Sequence, residues 1–105
     1  MEWENKIKMV KLGNNRKKNE DSKKEFQMFV LDNVSDFDEQ AWDMFCNLIT
    51  IIPDEMKLDI AFWERVYSKI KNVDCNNEKI GFRSGLRIAM IQNICKDELK
   101  ISYDD

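Results

Sequence analysis

A single proline, Pro53, and three glycines are the only strong chain-breakers in 105 residues. An all-β domain of this size needs a tight turn roughly every ten residues, and Gly and Pro supply many of them. The chain therefore reads as mainly α: a compact bundle of about four helices, with room for short terminal β-strands and with α+β as the alternative. Hydrophobic residues make up 43% of the sequence, enough for one core without disulfide or metal staples.

Residues 13–24, GNNRKKNEDSKK, hold no large apolar side chain. A stretch that can bury nothing cannot offset its ordering entropy, so it reads as a flexible basic loop. That loop closes an N-terminal segment, 1–24, and leaves 25–105 as the helical domain. Ahead of it, Trp3, Ile7, Met9, Val10 and Leu12 fit a short helix or a strand equally well, and Phe26 to Leu31 is open in the same way. Ser22 and Glu25 form a capping box for a helix ending near Asn33. Asp36 and Glu39 form a second capping pair, for a helix whose apolar residues Phe37, Ala41, Met44, Phe45, Leu48 and Ile52 run up to Pro53.

Pro53 suits the first turn of a third helix, with Asp54 and Glu55 at its positive end. One apolar stripe along it is Met56, Ile60, Trp63, Tyr67 and Ile70; another is Leu58, Phe62 and Val66. The second stripe marks either a central helix or a candidate interface of a homodimer. Asp74 to Asn77 read as a turn, and the last helix starts at Glu78 or Ser84 and reaches Lys96. Leu99, Ile101 and Tyr103 then alternate like a short strand. Gly81, Gly85 and Ala89 either line a groove on that last helix or mark a loop ended by a Ser84 cap.

Charge is segregated along the chain. Residues 1–24 carry eight Lys/Arg against four Asp/Glu, 25–64 one Lys against ten acids, and 65–105 eight basic residues against six. The blocks are thus +4, −9 and +2, and the modest net charge of −3 hides an acidic centre. On the second helix Asp36, Glu39 and Asp43 fall beside the apolar arc, with Trp42 at its edge. With Asp54, Glu55 and Asp59 they form a candidate partner-binding surface in which the indole is the anchor. The competing reading is a solvated helix face with Trp42 in the core.

Chemistry of other kinds finds little support. There is no histidine, so a Cys–His nucleophile and the usual zinc sites cannot form within this chain. Asp36, Asp38 and Glu39 lack the spacing and the glycine of a calcium loop. Pro53-Asp54-Glu55-Met56-Lys57 has the residue types of a nuclease signature, but its consecutive acids suit helix capping better. No enzyme activity, cofactor or metal is expected. Cys46, Cys75 and Cys95 are odd in number and form no CxxC pair, as in reduced cytoplasmic proteins. The opening Met-Glu-Trp-Glu-Asn-Lys has no apolar core of a signal peptide, and no run reaches the length of a membrane span. The expected location is the cytoplasm of a bacterial host cell.

A rival to the acidic surface is a helical DNA-binding transcriptional regulator that uses residues 78–96, with Arg83, Arg87, Gln92 and Asn93 as contacts. Against it, the two arginines are better placed to pair with acids of a neighbouring helix. Arg16, Lys17, Lys18, Lys23 and Lys24 are also basic, but without interleaved aromatics they read as a solvated loop, which makes direct nucleic-acid binding the weaker expectation.

In its size, its Lys/Asn/Ile richness, its lack of catalytic motifs and its acidic block from Glu25 to Glu64, the chain resembles the small acidic inhibitors encoded by phages and mobile elements, anti-CRISPR proteins among them. The resemblance implies an inhibitor that covers a basic nucleic-acid channel or a regulatory surface of its target, such as a CRISPR effector nuclease. It carries no individual residue across. An immunity protein or antitoxin against a basic toxin is the same physics with another target.

Overall fold

The computed structural model describes residues 1–50 and 57–101. Within them lie five α-helices: α1 (Trp3–Asn15), α2 (Glu20–Asn33), α3 (Glu39–Thr50), α4 (Ile60–Ile70) and α5 (Phe82–Leu99). Two 3-10 turns, Val34–Asp36 and Glu78–Ile80, precede α3 and α5. No strand occurs among the described residues, so residues 3–12 and 26–31 are helical. The expected terminal strand is corrected as well. Leu99 ends α5, Lys100 adopts the left-handed conformation at φ 56°, and the Ile101 amide donates to the Lys96 carbonyl at 2.9 Å, closing the helix. Tyr103 lies outside the described residues.

The helix starts follow local chemistry, at positions shifted from those expected. The Asn19 side chain, not Ser22, caps α2: its Oδ1 accepts from the Ser22 amide at 2.8 Å. Asp38, not Asp36, caps α3 by accepting from the Ala41 amide at 2.9 Å. Asp36 sits in the preceding 3-10 turn. Residues 57–59 are not helical and α4 begins only at Ile60, which corrects the helix expected to run on from Pro53. Ile52, Pro53, Asp54, Glu55 and Met56 lie outside the described residues.

The expected basic loop over 13–24 shrinks to residues 16–19, and α2 runs across the boundary drawn at residue 24. So short a connection folds α1 and α2 into a hairpin. α1 also packs on α3, α3 on α5, α5 on α4, and α4 back on α2. Met9, Phe26, Val30, Phe45, Val66 and Ile91 are fully buried where these helices meet. Phe37 stands edge-on to Trp42 at 5.1 Å, and Phe62 packs edge-on to Trp63 at the same distance.

Two glycines set the entry to α5. Gly81 precedes the helix at φ +84°, a conformation that L side chains rarely adopt. Gly85, one turn in, lies against the Cys75 carbonyl so closely that a Cβ would collide with it. The last helix thus starts at Phe82, at neither Glu78 nor Ser84, and Ser84 is a buried residue inside it, which corrects the Ser84 cap: only Gly81 belongs to the loop, and Gly85 makes a close helix contact.

Candidate functional site

Three of the eight cations of the N-terminal block are turned inward, while Lys8, Lys11, Lys18 and Lys24 stay exposed. Lys6, Arg16 and Lys23 are each at most 6% exposed. Lys6 Nζ pairs with Asp38 at 2.7 Å and donates to Gln40 at 2.9 Å. The Arg16 guanidinium donates to the Gly13 and Leu48 carbonyls, both at 2.7 Å, and lies 5.5 Å from the Phe26 ring. It thereby ties the C-terminal turn of α1 to Leu48 of α3. Lys23 Nζ reaches Asp59 at 2.9 Å, and the Gln27 amide brackets the same residue. Its nitrogen donates to Asp59 Oδ2 at 2.9 Å and its oxygen accepts from the Asp59 backbone amide at 2.7 Å.

These contacts shift protonation. The Gln27 hydrogen bond, aided by Lys23, holds the Asp59 carboxyl below its ordinary range. The Asp59 hydrogen bond raises Lys23 despite its burial. At Asp38 burial works upward, but the Lys6 contact and the Ala41 amide together pull the carboxyl down. Asp59, expected on a partner-binding surface, is thus engaged between α2 and α4.

The other acids of the expected surface are spread differently. Asp36 is 79% exposed, and the Met1 amino group stands 3.7 Å from it. Glu39 meets Arg83 at 3.5 Å and Asp43 meets Arg87 at 2.8 Å. The equal spacing of the two pairs shows α3 and α5 running side by side in the same direction. The arginines therefore pair with acids of a neighbouring helix, as the weighing against a DNA-contact role anticipated. Asp54 and Glu55 lie outside the described residues. Trp42 is only 5% exposed and belongs to the core, which corrects its expected role as a surface anchor. The stripe considered as an interface is likewise internal: Phe62 and Val66 are buried and Leu58 packs against the core. Gln92 donates to the Ile70 and Val73 carbonyls at 2.8 and 3.3 Å, so it does not share an open face with the arginines.

What the sequence reading missed lies on α5. Phe82, Leu86 and Met90 follow one another at four-residue spacing, hence in one row, and they are 82%, 50% and 38% exposed. One edge of this row is bordered by Arg83 and Arg87 with their α3 partners Glu39 and Asp43. An apolar centre beside a charged rim is the anatomy of a protein contact. The spacing was present in the sequence. However, it sits inside the apolar run Leu86–Ile94, and only the packing of α3 and α4 decides that Ile88 and Ile91 face inward while Leu86 and Met90 do not.

The thiols offer little reactivity. Burial pushes Cys46 up to about 11 and Cys95 up to about 12, and it also raises Cys75, so all three stay protonated near neutral pH. Among the described residues no three His, Cys, Asp or Glu side chains converge as metal ligands would, and no helix is long and apolar enough to cross a membrane. No protein-family model, curated protein or solved structure matches the chain.

Proposed function

We propose that this protein acts by binding another protein chain, and that the outer face of α3 and α5 makes the contact. The observation that carries this is the exposed row Phe82, Leu86 and Met90 beside the Arg83–Glu39 and Arg87–Asp43 pairs. Monomeric domains seldom leave aligned large apolar side chains open to water without using them.

A photo-reactive residue placed at Leu86 tests this in the native host. A covalent protein adduct is expected there, lost on Phe82→Asp and absent when the probe sits at Lys69 on α4. Adducts at Lys69 but not at Leu86 overturn the assignment of the face.

A second reading keeps the inhibitor of a basic nucleic-acid-handling protein, of the anti-CRISPR kind or an immunity protein. Asp36 and Glu39 favour it, because both are well exposed and their cations stand at 3.7 and 3.5 Å, leaving the carboxylates open to a partner. Salt separates the two readings. Binding centred on the α5 row survives about 1 M salt, whereas binding through the acids weakens steeply as the screening length falls to about 3 Å.

A further inference from the structure

We propose that the α5 row is covered by a second copy of this chain, in an antiparallel two-fold pair with Leu86 at the axis. This rests on the reading of α5 as a binding face and names what occupies it.

The row has a bulky residue at each end, Phe82 and Met90, around a central Leu86. Turning a copy end for end sets Phe82 on the partner's Met90, an aromatic–thioether contact, and Leu86 on its own equivalent. Self-complementarity of this kind is what a two-fold contact requires.

The rim points the same way. Arg83 and Arg87 are matched by Glu39 and Asp43, so the face carries no net charge from these four groups. A second copy approaches without like-charge repulsion, while a strongly basic or acidic partner gains no field to steer it. The Arg83–Glu39 contact, 3.5 Å between side chains 70% and 50% exposed, is also loose enough to be remade across the pair.

Size sets the strength. The row from Phe82 to Met90 spans about 12 Å along α5. With Leu86 at the axis only this stretch of the helix faces its equivalent, so the contact is smaller than a stable interface needs and the dimer is weak, dissociating in the micromolar range or above.

Sedimentation equilibrium of the full chain under reducing conditions, from about 1 to 500 μM, reads this directly. The mass should climb from monomer to dimer, and Leu86→Glu should raise the dissociation constant at least about tenfold. Met28→Glu, on the exposed side of α2, should leave it unchanged. Circular dichroism checks each fold, and Phe82→Ser gives the same reading should Leu86→Glu unfold. In a mixture of Phe82→Cys and Met90→Cys copies, mild oxidation should join unlike copies in preference to like ones. A chain that stays monomeric throughout, or a dimer indifferent to both Leu86→Glu and Phe82→Ser, overturns the second copy. A foreign protein cross-linked at Leu86 by a monomeric chain does so too, yet leaves α5 standing as a binding face.

Discussion

Lys23 and Arg83 each reach a carboxylate from another element, Asp59 at the cap of α4 and Glu39 on α3. Of the two cations only Lys23 is enclosed, with its side chain 7% exposed against 70% for Arg83. Around Lys23, Asp59 and Gln27, the side chains of α2 and the start of α4 satisfy one another at 2.7 to 2.9 Å, with Phe62 buried close by. Around Arg83 and Glu39 the contact is 3.5 Å and open to water, with Phe82 projecting beside it. Ion pairs of the first kind fix where helices sit; those of the second add little stability and leave their groups available to a partner. The same residue types in the same chain thus serve assembly in one region and the surface in the other.

The sharpest way to break this contrast is to place one charge in each region. Phe62→Asp is expected to abolish cooperative unfolding. It removes a buried ring worth about 3–5 kcal/mol and adds an unpaired charge, against a total stability of about 5–15 kcal/mol. Phe82→Asp should change stability by no more than about 0.5 kcal/mol. Urea titrations followed by circular dichroism compare the two. Equal losses would mean that the α5 row is packed in solution.

A smaller effect separates the cations. Arg16→Ala strips the guanidinium donors from the Gly13 and Leu48 carbonyls, and should cost about 2–4 kcal/mol. Arg83→Ala should cost less than about 0.5 kcal/mol. If the two losses are alike in urea, the enclosed seam and the open rim are not different kinds of contact.

Much of the helical architecture was legible in the sequence, because scarce breakers and three- to four-residue spacing are local signals. The pairing of Arg83 and Arg87 with acids of another helix was also within reach, since charge abundance made it the better wager. The segment 13–24 misled for a physical reason. It has no large apolar side chain, yet the Lys23 stem and the Arg16 guanidinium are buried at the core edge while their heads find carbonyls and Asp59. Its order comes from partners 32 to 36 residues away, which no local window contains. Trp42 misled for a related reason: it lies at the edge of an apolar arc, and only the packing of the neighbouring elements decides that it is buried.

The finest contrast is in pH. Asp59 is held below its ordinary value of 3.8, so it contributes stability that is complete well above that value and is lost as pH falls through its folded value. Lys23 is raised above 10.5, so its share is complete below that pH and disappears as pH rises beyond it. Between those limits the contact is fully formed. Asp59→Asn should therefore lower stability at pH 7, and it should flatten the decline of stability below about pH 5, because one carboxylate that must be protonated on acid unfolding is gone. Urea midpoints measured from pH 7 down to pH 3 test both, and an acid slope unchanged by Asp59→Asn would show that this carboxylate is as solvated as those on the outer face.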